Sequence, residues 1–292
     1  VELFNKIAHG QFDVEEDMRQ LNKYLDLAHQ INSPEAAGNV YLTIFFLQIA
    51  VGQFEAAIAT IEKGVQEFER SQFKQRALGC RINQGETYFI LGDVEKAIEV
   101  YAQTLLALEQ QSDEEDHFGD RFILYASLGT SYLAHDDEDI AEQFFHRILE
   151  SPEKTQNQYT NAVIEAYIGL AEVHLKRDEL DETVARANLA WDIVQRQNDP
   201  RRAFLVQCTL GHIAERIDSP QVAETHYQAA IETLKPTLKS AYNIAALLHE
   251  ARYQHRHQNV EQAARFATLA QQYFHAIDVH IFDEELTRLM SA

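Results

Sequence analysis

Thirteen histidines, forty-six acidic side chains and two cysteines are the chemically capable residues of this 292-residue chain. Their spacing decides what they can do. His255 and His257 are two positions apart, which on a helix turns them to different sides. His275 and His280 straddle a predicted helix end. The chain has neither an HExxH pair nor a cluster of cysteine ligands, so no metal site is expected. Acidic runs occupy residues 113–116 and 136–139. Calcium would want a glycine-bearing loop with alternating oxygen ligands, which neither run has. They read instead as solvated turns, the second leading into a helix start where carboxylates suit the dipole. Cys80 and Cys208 lie far apart in the chain and read as small core residues. Neither reads as a nucleophile or a disulfide partner, which favours a reducing, cytoplasmic setting. A glycine-rich phosphate loop and a nucleophile elbow are both missing. The chain therefore offers no catalytic residue and no cofactor site, and enzyme activity is not expected.

The totals narrow the partners. A formal charge of −21 repels polyanions, so nucleic acid and anionic membrane surfaces are poor ligands. The longest apolar stretch, residues 41–51, is interrupted by Thr43 and Gln48 and is too short to cross a bilayer. No signal peptide is visible. The chain begins at Val1 rather than methionine, which leaves room for sequence upstream. A hydrophobic content of 46% is enough to bury a continuous interior.

The elements that must position these residues are helices. Apolar side chains recur every three or four residues through nearly every segment, as in Val94, Ala97, Ile98, Tyr101, Leu105 and Leu108. Asp93 stands where a helix N-cap is needed. A small residue recurs before a short turn at Gly85, Gly129, Ala171, Gly211 and Ala251. Twelve positions later alanine recurs at Ala57, Ala97, Ala141, Ala223 and Ala263, with Thr183 in the remaining copy. The repeat length is about forty residues, which predicts a stacked array of helical hairpins rather than one closed core. Second helices open at Gly52, Gly92, Asp136, Asp178, Asp218 and Gln258. Pro34, Pro152, Pro200 and Pro236 fall between hairpins, and Pro220 at a helix start, where a missing amide donor costs little. No strand signal is present. Residues 1–37 form an irregular first hairpin, residues 38–275 six repeats, and residues 276–292 a C-terminal cap, all in a single domain. Leu286 and Leu289 would cover the last exposed face.

These units resemble the tetratricopeptide repeat in its longer form. Repeat two carries Gly85, Tyr88, Ala97 and Tyr101. Repeat three carries Tyr125, Gly129, Tyr132, Ala141 and Phe145. Repeat five carries Gly211, Ala223, Tyr227 and Ala230. Repeat four has Thr183 for the alanine, repeat one has Phe45 where a small residue is expected, and repeat six lacks the aromatics. The resemblance implies an all-α, right-handed α-solenoid of about seven hairpins with first helices on a concave inner wall. Carried over position by position, that wall holds Leu42 and Phe46, then Phe89, then Lys176, Arg216, His249, Arg252, His255 and Arg256. Its first half is apolar and its last third basic, inside a strongly acidic chain. The carboxylate clamp of chaperone-binding members falls on Leu42, Phe46, Asn83, Ile123 and Ser127; only Asn83 matches, so that role is rejected.

The resulting expectation is a protein- or peptide-binding scaffold. Its ligand would place an apolar anchor toward Phe46 and Phe89 and an acidic portion toward Arg252 and Arg256. The alternative is a ligand-sensing regulatory module of a larger signalling or transcription-regulator protein, as in MalT-like activators and peptide-pheromone receptors. The oligomeric state is not set by the sequence.

Overall fold

The computed structural model describes residues 13–110, 118–151 and 159–291. The expected short helix before Asp13 and the acidic run at 113–116 lie outside the described residues. Those described form fourteen α-helices and no strand. The helices are α1 (Val14–Gln30), α2 (Pro34–Ala50), α3 (Phe54–Glu69), α4 (Lys74–Leu91), α5 (Val94–Glu109), α6 (Phe118–Ala134) and α7 (Glu138–Glu150). They continue with α8 (Thr160–Lys176), α9 (Leu180–Val194), α10 (Pro200–Arg216), α11 (Pro220–Leu234), α12 (Ala241–Arg256), α13 (Val260–Ala276) and α14 (Asp283–Ser291). The all-α solenoid class read from the sequence is the one that forms.

Local chemistry sets the helix ends. Asp13, Ser33, Asp93, Asp199, Ser240 and Asn259 each accept a backbone N–H of the first turn that follows, satisfying one orphan donor. Pro34, Pro200 and Pro220 take the first helical position. The turns from first to second helix share one device. Gly52, Gly92, Asp136, Asp178, Asp218 and Gln258 all have positive φ. In five of these turns the next residue's N–H reaches back to a carbonyl near the helix end: Gln53 to Gln48, Asp137 to Tyr132, Glu179 to His174, Ser219 to Ala214 and Asn259 to Gln254. The residues read as opening each second helix are thus the left-handed residues of the turn.

The chain groups into two units, residues 92–236 and residues 1–91 with 237–292. In the first, α6 with α7, α8 with α9 and α10 with α11 pair as hairpins, and the first helices α6, α8 and α10 touch in succession. In the second, α2 pairs with α3 and α12 with α13, α1 packs on α2, and α14 covers α13 with Leu286 and Leu289 buried. There α12 also packs against α2 and α4.

The repeating small residues do what the pattern requires. Ala57, Ala97, Ala141, Thr183, Ala223 and Ala263 are all buried. Aromatics of the second helices fill the wedge beside glycines of the first. A Cβ added at Gly211 would lie 2.5 Å from the Tyr227 ring, and one at Gly129 2.5 Å from Phe145. Phe45, the departure from pattern in repeat one, is buried with its ring edge-on to Phe46.

Candidate interaction surface

The expected wall residues divide between the two units. In the unit of residues 92–236, the cationic ends of the first helices reach back one repeat. Lys176, the last residue of α8, donates to Asp136 Oδ1 at 2.7 Å and Glu138 Oε1 at 2.6 Å. Arg177 bonds Asp139 and Glu142 at 2.8 and 2.9 Å. Arg216, the last residue of α10, donates from Nε to Asp178 Oδ1 at 2.9 Å. The acceptors Asp136 and Asp178 are left-handed residues of the preceding turn, so one side chain both tolerates the turn and receives the next repeat's cation.

Charge and burial act together along this ladder. Hydrogen bonding from Lys176 holds the Glu138 carboxyl below its usual range. Burial pulls Lys176 down, but the bonds to Asp136 and Glu138 more than offset it, and the ammonium ends above its usual value. Deeper in the same layer His212 Nδ1 meets Glu172 Oε1 at 2.9 Å, both side chains buried and forty residues apart. Arg202 joins Glu165 at 2.5 Å and Asp199 at 2.6 Å. Burial disfavours its charge, but the two carboxylates outweigh it and hold the guanidinium above its ordinary value. A cleft of about 320 Å³ lies between Arg121, Phe122, Tyr125, Arg147, Glu150 and Ser151, where the Arg147 guanidinium sits 5.5 Å from the Tyr125 ring centroid.

In the other unit the chain occupies its own candidate face. Phe89 stacks on His249 with centroids 4.9 Å apart. Tyr242 donates its hydroxyl proton to Glu86 Oε1 at 2.8 Å. Arg252 clasps Glu285 with Nε and Nη2, both at 2.8 Å, and its Nη1 donates to Ile90 O at 2.9 Å. Ile90 lies in the last turn of α4, whose carbonyls lack helical donors, so Arg252 caps that helix as well as neutralising Glu285. Phe46 is half-buried against Leu21, Ile44, Leu47 and Ala50. Leu42 and His255 are half-buried and Arg256 is exposed.

In place of the expected basic groove, the first-helix cations within residues 92–236 form a ladder with carboxylates of the preceding repeat. Its signal was present in the spacing: Asp136 to Lys176 and Glu172 to His212 are each one repeat apart. The contacts of α12 with α4 join residues 156 and 162 positions apart, and no local pattern announces them. The buried cysteines are as expected. Burial pushes the Cys80 thiol up to about 12, which keeps it protonated and unreactive. No helix among the described residues is long and apolar enough to cross a membrane.

Stacked helical hairpins, left-handed turn residues and small–aromatic wedges define a helical-repeat protein. Residues 79–105 match the tetratricopeptide repeat. Solved structures share the fold. BtubC (BKLC) from P. vanneervenii has a TM-score of 0.55 at 19% identity, covering 80% of this chain and 91% of that one. A tetratricopeptide repeat protein from Parabacteroides merdae has a TM-score of 0.52 at 16% identity, covering 95% and 97%. The Cut9–Hcn1 hetero-tetramer of APC/C has a TM-score of 0.52 at 14% identity, covering 99% of this chain and 48% of that one. Comparison with curated proteins finds no match. Residues 79–105 thus carry one recognisable repeat of that family, the described helices share the fold of tetratricopeptide-repeat structures, and that fold suggests a protein-interaction scaffold.

Proposed function

We propose that the chain is a protein- or peptide-binding scaffold and not an enzyme. The observation that carries this reading is an apolar stripe on α1. Tyr24, Leu27 and Ile31 are 58%, 52% and 64% exposed. Their spacing puts them on one helix face. Large apolar side chains grouped in water on one face mark a contact surface more than scattered ones do. Leu42, Phe46, His255 and Arg256 retain some surface on the first helices. A chain of the Cut9–Hcn1 hetero-tetramer shares the fold, which supports partner binding as a use of the architecture.

The expectation of an acidic ligand rested on Arg252 and Arg256, with Arg216 on the same wall; of these, Arg216 and Arg252 have carboxylate partners within the fold. Asp178 and Glu285 neutralise those two. What remains outside is the field of a chain carrying −21. Such a field favours a partner with basic residues around an apolar contact. Buried free cysteines support a cytoplasmic setting.

The test is capture from native extract on the immobilised full chain, with mass identification, comparing wild type with Leu27→Glu/Ile31→Glu. Both positions are exposed, so the fold tolerates the change. Proteins held by wild type and released by the variant, and weakened by raised salt, are expected. An identical set on both chains would remove the stripe and this reading of the face.

A further inference from the structure

We propose that His275, His280 and Asp283 form a divalent-cation site of the zinc class, which fixes the loop between α13 and α14. His275 lies in the last turn of α13, His280 in the loop that follows and Asp283 at the first position of α14. One ligand atom from each lies within 4.8 Å of the other two. The carboxylate already gathers both rings: Asp283 Oδ1 is 2.6 Å from His275 Nε2, and Oδ2 is 2.9 Å from His280 Nδ1. Zinc bonds of about 2.0–2.2 Å in a tetrahedron place donor atoms about 3.3–3.6 Å apart, so small rotations of these side chains complete the set. Two imidazoles and a carboxylate leave a fourth position for water.

Two further observations support the assignment. His280 Nε2, the nitrogen turned away from the ligand cluster, lies 3.4 Å from Asp278 Oδ1. A carboxylate behind a ligating imidazole is the outer partner that orients such rings. Second, the loop bearing His280 is anchored on both sides. Val279 lies so close to Gly52 that an added Cβ there would meet Val279 Cγ2 at 2.4 Å. Phe282 is buried, with its ring 5.5 Å from Phe54 and 5.0 Å from Phe274. His280 therefore sits on a loop held against the turn between α2 and α3. A cation bridging α13, this loop and α14 would stabilise that docking by favouring the folded arrangement.

The experiment is calorimetric titration of the metal-free full chain with zinc chloride, repeated with cobalt chloride while following visible absorption. Wild type is expected to bind one zinc per chain at this site and to give the spectrum of a low-coordinate cobalt centre. His280→Ala and Asp283→Asn are expected to weaken zinc binding at least tenfold, and His257→Ala to leave it unchanged. His275 and His280 are 42% and 56% exposed in their side chains, so circular dichroism of the variants in metal-free buffer should match wild type. Zinc should also raise the melting midpoint of wild type and not of His280→Ala. Absence of saturable zinc binding in wild type, or equal binding in wild type and His280→Ala, would overturn the assignment.

Discussion

Lys176 at the end of α8 bonds Asp136, the left-handed residue in the turn one repeat earlier, at 2.7 Å. The same relation joins Arg216 to Asp178. An aspartate that accommodates positive φ thus also fixes the approach of the next hairpin.

Lys176→Gln should lower stability by about 1 kcal/mol or less, since Asp136 is 70% exposed and solvent screens the pair. The pH window follows from the two shifts. Glu138 is lowered in the fold, so its contribution is present above the unfolded carboxylate value, ~4.3, and is lost as pH falls through the folded value. Lys176 is raised, so its contribution is complete below ~10.4 and is lost as pH rises through the folded value. Urea denaturation of wild type and variant should differ most near neutrality and converge once pH has fallen through the lowered Glu138 value.

Gly169→Ala should destabilise by about 1–3 kcal/mol through overpacking. A Cβ there would sit 2.1 Å from Phe145 Cζ, and one added at Gly129 would sit 2.5 Å from the same ring. Phe145→Leu in the same chain should recover part of the loss, a non-additivity visible in a four-way denaturation cycle.

Gln258→Gly should stabilise by up to about 1 kcal/mol, because Gln258 holds φ at +62° without the short polar side chain that eases this region for aspartate. Gln258→Val should do the reverse. Thermal melts of the three proteins check the order.

Glu172→Ala should cost about 1–3 kcal/mol by removing a buried acceptor from His212, and Glu172→Gln should cost less. Denaturation midpoints at neutral pH separate the two.

The hairpins were legible because their signals are local. Ala141 and Phe145 share a helix, and Asp93 precedes the amides it caps. Gly169 escaped notice because its partner Phe145 belongs to the preceding hairpin and faces two repeats at once. Arg252 was legible as an inner-wall cation, while its bond to Ile90 O depends on how α12 meets α4, a relation that periodicity does not encode. The pairing of His275, His280 and Asp283 is similar: the loop that joins them is bent by contacts of Val279 and Phe282 with the turn between α2 and α3.

Arg252, a cation of the expected wall, serves the fold. The direct measurement is the denaturation midpoint of Arg252→Gln, taken with no partner present. Loss of the clasp on Glu285 and of the cap on Ile90 O predicts destabilisation of about 2 kcal/mol, because Arg252 is only 13% exposed and both acceptors would lose a charged donor. A midpoint equal to wild type, together with loss of captured proteins, would contradict the account and return Arg252 to ligand binding.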